Sequence, residues 1–264
     1  MNERDQMLTS LLSCERKDLY LKPKALTDFE VDQLNQMLER RVKGEPLQYI
    51  IGDADFMGCK IYVNPSVLIP RPETEILVEA AINAFKDKEL KPIKILDLGT
   101  GSGNITIALA KYFKKAKIMA IDVSLEALRI AKKNVLLNEV EERVELVCCN
   151  MENYFKNNRT RNSFDLIISN PPYIETSLLR ELPEDVKREP RIALDGGWDG
   201  LRFYRLIIEQ SHLYLENNGF IFLEIGDNQD TRIESLLKKI NQYKNIHFIK
   251  DYVGTNRVIC VQKD

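Results

Sequence analysis

The chain has 264 residues, of which 44% are hydrophobic and 30% charged, and these are ordinary proportions for a globular enzyme. A net charge of −2, with no long basic run, argues against a protein that grips nucleic acid mainly through its phosphates. No stretch approaches the ~18 uninterrupted apolar residues of a membrane span. The charged start, Met1–Asp5, lacks the apolar core of a signal peptide, so we expect a cytoplasmic protein without a membrane partner.

Residues 1–45 are predicted to be helical. Thr27 and Glu30 fit a capping box, in which each side chain accepts a hydrogen bond from the backbone of the other residue. Apolar residues then follow at helical spacing: Val31, Leu34, Leu38 and Val42. Gly44 and Pro46 predict the end of this helix.

Residues 47–63 carry two apolar, β-branched runs around Gly52 and Asp53, which predicts a β-hairpin that turns there. Pro70 and Pro72 interrupt the chain next, and Pro72 suits the first position of a helix. We therefore place a domain boundary near residues 65–75.

From residue 93 onward, short apolar runs alternate with helical patterns. The predicted strands are Ile93–Leu98, Lys117–Asp122, Arg143–Cys149, Phe164–Ser169, Phe220–Ile225, Ile246–Asp251 and Val258–Val261. Helices are predicted over Asn104–Phe113 and Leu125–Leu137, and two more alternate with the later strands. This alternation indicates an α/β fold with a mostly parallel seven-stranded sheet covered on both faces.

A glycine-rich turn follows the first of these strands and leads into a helix. Its residues are Asp97, Leu98, Gly99, Thr100, Gly101, Ser102 and Gly103. The G-x-G-x-G spacing differs from the G-x-G-x-x-G of dinucleotide folds, and the absence of a following Lys-Ser/Thr excludes a P-loop. Asp97 would repel a pyrophosphate, whereas it would attract a cationic amino-acid cofactor.

The second strand ends at Asp122. A carboxylate at this position can accept hydrogen bonds from both ribose hydroxyls of an adenosine that lies across the carboxyl ends of the strands. The alternative is that Asp122 merely caps the helix that begins near Ser124. The glycine turn one βα unit upstream favours the adenosine interpretation.

The fourth strand ends in the motif Asn170-Pro171-Pro172-Tyr173. The lone pair of an amide or aromatic-amine nitrogen is delocalised, so a catalyst must direct it and stabilise the positive charge that develops. The Asn170 side-chain oxygen and the Pro171 carbonyl oxygen can each accept a hydrogen bond from one of the two N–H groups of that nitrogen. Tyr173 offers a flat face on which a planar group can pack. The alternative, an ordinary Pro-Pro turn, is disfavoured because the motif ends the fourth strand of this alternation.

Asp97, the glycines and Asp122 together resemble the cofactor site of class I S-adenosylmethionine-dependent methyltransferases over roughly residues 90–262. The Asn-Pro-Pro-Tyr motif resembles that of the amino-methyltransferases, which act on adenine N6, cytosine N4 or glutamine amide nitrogens. These resemblances imply a Rossmann-like class I fold and methyl transfer from S-adenosylmethionine, with S-adenosylhomocysteine as product.

Five further segments resemble the release-factor glutamine methyltransferase family in the same order along the chain. They are Gly44–Gly52, Leu68–Glu75, Glu189–Leu201, Glu224–Gly226, and Asp251–Gly254 with Arg257. The family implies an N-terminal helical substrate-docking domain (residues 1–45), a β-hairpin linker (46–70) and a methyltransferase domain (71–264). It also implies N5-methylation of the glutamine in the Gly-Gly-Gln motif of class-I peptide chain release factors, which would be the protein's partners.

Carried onto this sequence, the resemblance implies that the cofactor contacts the turn from Asp97 to Gly103, Asp122, the two residues after the third strand, and Asn170. Those two residues are Asn150 and Met151, where the family often has Asp followed by a bulky residue. Asn150 can still accept a hydrogen bond from the adenine amino group. The substrate residues are Asn170, Pro171, Pro172 and Tyr173.

The segment 174–200 follows the fourth strand and carries seven acidic and four basic side chains, a net charge of −3. It is either a solvated surface loop or a lid or partner surface over the substrate. An acidic lid would repel a DNA backbone, and we expect no direct nucleic-acid partner.

Three other functions remain open. The chain could methylate a glutamine of a ribosomal protein with almost the same core. It could be an adenine-N6 methyltransferase of nucleic acid, although neither a basic cleft nor a target-recognition domain is visible. It could also be a methyltransferase fold kept as a binding module, which the intact Gly99, Gly101, Gly103, Asp122 and Asn170 disfavour. We expect a monomer.

The sequence gives no indication of a metal site. Its five cysteines form no Cys-x-x-Cys pair, and His212 and His247 lie far apart. Cys148 and Cys149 fall in a strand-like run, where we expect them to be small core residues.

Overall fold

The computed structural model describes residues 2–21, 24–89, 91–157 and 163–264. The chain begins with four helices: α1 (Glu3–Leu12), α2 (Arg16–Leu21), α3 (Asp28–Val42) and α4 (Leu47–Ile51). The predicted capping box at Thr27 and Glu30 is confirmed at the start of α3. Met7, Leu47 and Ile50 form a small core beneath these helices.

The predicted hairpin exists, but its predicted turn is wrong. Residues 47–51 are helical, and Gly52 ends α4 in the left-handed conformation with φ 93°. The hairpin strands are β1 (Asp53–Phe56) and β2 (Cys59–Tyr62), joined at Met57 and Gly58. Both joining residues have positive φ, 51° and 70°. This backbone matches the twist of a two-residue hairpin turn, so the turn lies where Gly58 permits it.

From Pro72 onward the chain alternates helices and strands. Its helices are α5 (Pro72–Ala84), α6 (Asn104–Tyr112), α7 (Leu125–Leu137), α8 (Met151–Asn157), α9 (Arg202–Ser211) and α10 (Asp230–Leu237). Its strands are β3 (Lys94–Leu98), β4 (Lys117–Asp122), β5 (Val144–Cys148), β6 (Phe164–Ser169), β7 (Leu215–Glu224), β8 (Tyr243–Lys250) and β9 (Asn256–Lys263). Short 3₁₀ turns punctuate the connections. Pro72 takes the first position of α5, as predicted.

The sheet has seven strands in the order β5-β4-β3-β6-β7-β9-β8, which confirms the predicted α/β sheet. Strands β3 to β7 pair in parallel, whereas β9 is antiparallel to both β7 and β8. Because side chains alternate between the two faces of a strand, each strand contributes to two cores. One core joins Ile95 and Leu166 to α5, α6 and α7; the other joins Leu96 and Ile167 to α8, α9 and α10.

The expectation that Cys148 is a small core residue is wrong. Cys148 is exposed, because β5 is an edge strand of the sheet and has no neighbour on one side. Cys149 follows β5, is half-buried and packs against the core that contains α8, α9 and α10. Helix α8 was not predicted from the sequence. None of the helices within the described residues is long and apolar enough to cross a membrane.

Candidate active site

A cavity of about 210 Å³ opens at the carboxyl ends of β3 and β4, at the edge predicted from the sequence. It gathers most of the predicted cofactor residues from four separate connections. Those that line it are Gly99, Gly101, Asp122, Asn150, Met151 and Asn170. Asp97, Thr100, Ser102 and Gly103 lie behind this lining, where Asp97, Thr100 and Ser102 are fully buried.

The glycine turn is tied to the neighbouring strand through its backbone. The amides of Gly99 and Thr100 both donate to the carbonyl of Ile121, at 2.9 and 3.0 Å. Gly99 has φ 76°, and a Cβ there would lie 3.1 Å from the Cε atom of Met151. Any larger residue at Gly99 would therefore press against a side chain that itself lines the cavity.

Asp97 lies at the base of the turn with no solvent exposure. The hydroxyls of Thr100 and Thr106 donate to its Oδ2 at 2.7 and 2.6 Å. Its Oδ1 is buried and receives no hydrogen bond from the described residues. Burial raises the pKa of Asp97 to about 6, against the lowering effect of the two hydroxyls. A cationic group near Oδ1 would satisfy both the free oxygen and the buried charge.

Asp122 lines the cavity, as its predicted ribose-binding role requires, and it also fulfils part of the alternative role. Its Oδ2 accepts from the amide of Gly101 at 2.9 Å, and its Oδ1 accepts from the amide of Ser124 at 2.8 Å. The capping of α7 itself falls to Ser124, whose hydroxyl oxygen accepts from Ala127 N. Each carboxylate oxygen can accept a second hydrogen bond, so Asp122 can still bind two hydroxyls from the cavity. Burial raises its pKa.

Asn150 and Met151 lie at the start of α8. The side-chain oxygen of Asn150 accepts from the amide of Glu152 at 2.7 Å, so it caps this helix. That oxygen has a second lone pair, and Asn150 lines the cavity. An adenine contact from Asn150 therefore stays a prediction.

A second cavity of about 190 Å³ adjoins the first one. Leu68, Asn170 and Ala193 line both cavities, and Asn170 is the polar one of the three. The side-chain NH₂ of Asn170 donates to the hydroxyl oxygen of Thr74 at 3.1 Å. This bond leaves the side-chain oxygen available at the junction of the two cavities.

The rest of the Asn-Pro-Pro-Tyr motif is held by close backbone packing. Pro171 is buried, Pro172 lines the first cavity, and Tyr173 lines the second. A Cβ at Gly196 would lie 2.7 Å from the Cα of Tyr173, and one at Gly200 would lie 2.5 Å from its carbonyl oxygen. Gly196 and Gly200 are therefore needed because they pack directly on this corner.

The segment 174–200 forms a wall of the site. Pro190 and Ile192 line the first cavity, Val186 and Leu194 line the second, and Ala193 lines both. Buried Glu189 forms an ion pair with Arg71 and accepts from the amide of Ile69 at 3.1 Å. The solvated-loop interpretation is thus wrong for Glu189 and Leu194, which are buried, whereas the same stretch exposes Lys187, Arg188, Arg191 and Ile192.

Sequence reasoning gave no role to several residues that shape this site. Arg71, Thr74, Glu189 and Glu224 were noticed only as parts of resembling segments. Glu224 carried a readable signal, because it is a carboxylate at the end of an apolar strand, as Asp122 is. Thr74 carried no such signal, since a threonine near a helix start is normally a capping residue.

The residues present fit the cofactor that the sequence implies. The free Oδ1 of Asp97 suits an ammonium group, and the carboxylate of Asp122 faces a cavity where a ribose would lie. Within the described residues, no group of three or more His, Cys, Asp and Glu side chains is placed to hold a metal ion.

Two family models match the chain: the PrmC N-terminal domain over residues 3–52 and the methyltransferase small domain over residues 73–182. A release factor glutamine methyltransferase from Thermodesulfovibrio yellowstonii is 39% identical over 264 residues, which cover 100% of this chain and 92% of that relative. One from Flavobacterium psychrophilum is 40% identical over 261 residues, which cover 97% of this chain and 89% of that relative. The crystal structure of a methyltransferase from Pyrococcus furiosus, 20% identical, superposes with a TM-score of 0.55 over 88% of this chain and 98% of its own. That last likeness concerns the fold alone.

Proposed function

Because this chain belongs to the release factor glutamine methyltransferase family, we propose that it methylates the side-chain amide nitrogen (N5) of the glutamine in the Gly-Gly-Gln motif of class-I peptide chain release factors. One observation carries the proposal: Asn170, whose side-chain NH₂ is bound to Thr74 and whose oxygen is left available, lines both the cofactor cavity and a second cavity at their junction. A planar primary amide on an unbranched arm can reach this junction, and flanking glycines let its loop enter without side-chain clashes.

Asn170 and Pro171 prepare the amide for reaction. The Asn170 oxygen and the Pro171 carbonyl accept the two N–H bonds of the glutamine amide, so its lone pair is directed at the methyl carbon. As positive charge develops on nitrogen, these fixed dipoles stabilise it without having to reorient. Tyr173 packs on the amide plane. S-adenosylmethionine would supply the methyl group when bound, with its sulfonium becoming the thioether of S-adenosylhomocysteine, and the methylated nitrogen would lose one of its two N–H protons to water.

The cofactor residues act by holding charge and hydroxyls. Asp97 receives the ammonium group, and Asp122 accepts the ribose hydroxyls. Gly99 and Gly101 bring the backbone close to the ligand, and the remaining turn residues, Thr100, Ser102 and Gly103, set its shape. Asn150 and Met151 contact the adenine. Asn170 touches both cofactor and substrate.

The N-terminal helices supply the docking surface for the body of the release factor. On α3 the apolar stripe is only partly covered: Val31, Leu38 and Val42 are exposed to 40%, 41% and 87%. A cleft of about 750 Å³ lies between α1, the hairpin and the start of α5. We assign docking to residues 1–45, the hairpin linker to 46–70 and methyl transfer to 71–264. Leu47 and Ile50 also pack on Met7, so α4 moves with the docking helices.

The test is transfer of a labelled methyl group to three kinds of acceptor: an intact class-I release factor, ribosomal proteins, and DNA or RNA. We expect transfer to the release factor and much weaker transfer to an isolated Gly-Gly-Gln peptide, because the peptide lacks the docking contacts that raise its effective concentration. Labelling of ribosomal protein or nucleic acid, with none of the release factor, would overturn the proposal.

A further inference from the structure

Two buried side chains from distant parts of the chain, Thr74 and Glu224, form a line of hydrogen bonds behind Asn170. The NH₂ group of Asn170 donates to the hydroxyl oxygen of Thr74 at 3.1 Å. The hydroxyl of Thr74 in turn donates to Oε2 of Glu224 at 2.6 Å. Thr74 lies in the first turn of α5 and is 2% exposed, and Glu224 ends β7 and is 1% exposed.

The direction of this line follows from the number of protons in it. An ionised carboxylate can only accept, so the single hydroxyl proton of Thr74 must point to Glu224. The Thr74 oxygen can then offer only a lone pair to Asn170. A lone pair attracts the NH₂ group of Asn170 and repels its carbonyl oxygen. The amide of Asn170 is thereby fixed with its oxygen directed away from Thr74.

We propose that Thr74 and Glu224 are positioning residues, which hold the Asn170 amide in the one orientation that presents its oxygen to the acceptor nitrogen. This inference rests on the proposed function of Asn170. It also explains why an amide accepts the methyl group: the oriented oxygen needs an N–H partner, which glutamine has and glutamate lacks.

The charged and polar groups around Glu224 set the pH above which its carboxylate is ionised and can only accept. The hydroxyl of Tyr173 lies 3.5 Å from Oε1. The Arg257 guanidinium favours the ionised form, whereas Glu73 and burial disfavour it, and burial is the largest effect. Together these influences raise the pKa of Glu224 to about 7. The hydroxyl of Tyr204 donates to the backbone oxygen of Glu224 at 2.8 Å and so fixes its position on the strand.

Protonation of Glu224 would reverse the direction of the hydrogen bonds from Asn170 to Thr74 and from Thr74 to Glu224. A protonated carboxyl can donate to the Thr74 oxygen, which frees the threonine hydroxyl to donate to the carbonyl oxygen of Asn170. The amide would then turn its NH₂ group toward the acceptor nitrogen, where it repels the N–H bonds. Turnover at saturating cofactor and substrate should therefore fall as the pH drops below about 7, approaching tenfold per unit well below that value.

The experiment compares Thr74→Val with Thr74→Ser. Valine keeps the shape and removes the hydroxyl, whereas serine keeps the hydroxyl. We expect Thr74→Val to lower kcat on intact release factor by about tenfold or more, with little change in cofactor affinity. Its melting temperature should fall, because the buried Glu224 carboxylate loses a hydrogen-bond donor, so kcat is compared well below that temperature. Thr74→Ser should stay within about threefold of the wild type. Equal kcat in the wild type and Thr74→Val would overturn the proposal.

Glu224→Gln provides the second measurement, because glutamine does not titrate. The fall in kcat below about pH 7 should disappear in Glu224→Gln and also in Thr74→Val, where the connection to Asn170 is cut. If the fall in kcat persists in both variants, Glu224 does not control the orientation of the Asn170 amide. Wild-type enzyme that fails to methylate release factor at any pH would refute the proposed function instead, so the two failures are distinguishable.

Discussion

The cofactor half and the acceptor half of the site are built in different ways. The cofactor half consists of the turn from Asp97 to Gly103 with Asp122, and its side-chain bonds join residues that are close in the chain. Thr100 and Thr106 lie 3 and 9 residues from Asp97, and Gly101 lies 21 residues from Asp122. In the acceptor half, Thr74 lies 96 residues from Asn170 and 150 from Glu224, and Arg71 lies 118 residues from Glu189.

Because of this difference, substitutions in one half should impair that half's function and leave the function of the other half largely intact. The hydrogen bonds of the cofactor half lie within two adjacent strands and their connections, although Pro190 and Ile192 of segment 174–200 also line its cavity. The acceptor half requires α5, segment 174–200 and β7 to come together. A change at Asn170 should therefore impair chemistry while cofactor binding survives, and a change at Asp122 should do the opposite.

The largest effect is expected at Asn170. Asn170→Ala removes an acceptor that matters most as nitrogen gains charge, so turnover should fall by about 10²-fold or more. Cofactor affinity, measured by calorimetry on the same preparation, should change far less. A fall of less than about tenfold in single-turnover rate would exclude Asn170 as the orienting acceptor.

Asp122→Ala should produce the converse result. It removes the acceptor for two hydroxyls and should weaken cofactor binding by roughly 1–3 kcal/mol. Asp122→Asn is the matched control, because it keeps one acceptor oxygen near the Gly101 amide and should lie between the wild type and Asp122→Ala. Turnover at saturating cofactor should remain close to that of the wild type. Unchanged cofactor affinity in Asp122→Ala would contradict the role assigned to Asp122.

The pH dependence of cofactor affinity tests Asp97. Burial raises the pKa of this carboxyl to about 6. The carboxyl is therefore ionised at pH 7.5 and becomes neutral as the pH falls below its pKa. Only the ionised form attracts the ammonium group of the cofactor. Affinity should thus be constant above about pH 7 and weaken by about tenfold between pH 7 and pH 5. Asp97→Asn should bind more weakly at pH 7.5 and lose this dependence. A flat wild-type profile from pH 5 to pH 8 would contradict the assignment.

The smallest effect is expected on the docking surface, far from both halves. Leu38→Gln with Val42→Gln removes exposed apolar surface from one side of α3 and should raise KM for intact release factor by about three- to tenfold. Phe29→Gln is the matched control, because helical geometry places this exposed residue on the opposite side. Activity on a Gly-Gly-Gln peptide should be unchanged in all of these variants. Equal KM values for the double variant and the control would show that this side of α3 does not belong to the docking surface.

The same contrast explains what could be predicted from the sequence. Strands such as Lys117–Asp122 and Phe164–Ser169 were predicted at their observed bounds, because a buried parallel strand is a local apolar run. The hairpin turn was misplaced because Gly52 and Gly58 both permit a positive φ, and only the packing of Leu47 and Ile50 on Met7 makes the first segment a helix.

Within the site, the sequence motifs could be recognised, but the residues that hold the motifs in place could not. Asn170 could be assigned from its place after the fourth strand. The partners that hold it, Thr74 and Glu224, are brought to it by the fold of the whole domain, and no pattern in the sequence joins them.

The central claim is that the acceptor is the amide nitrogen of the Gly-Gly-Gln glutamine, and fragmentation mass spectrometry of release factor after reaction tests it most directly. The account predicts one methyl group on the side chain of that glutamine in the wild-type release factor. It predicts none when this glutamine is replaced by glutamate, which has no N–H bond for Asn170 and whose charge would face two carbonyl oxygens. A methyl group on another residue, or equal transfer to the glutamate variant, would contradict the account.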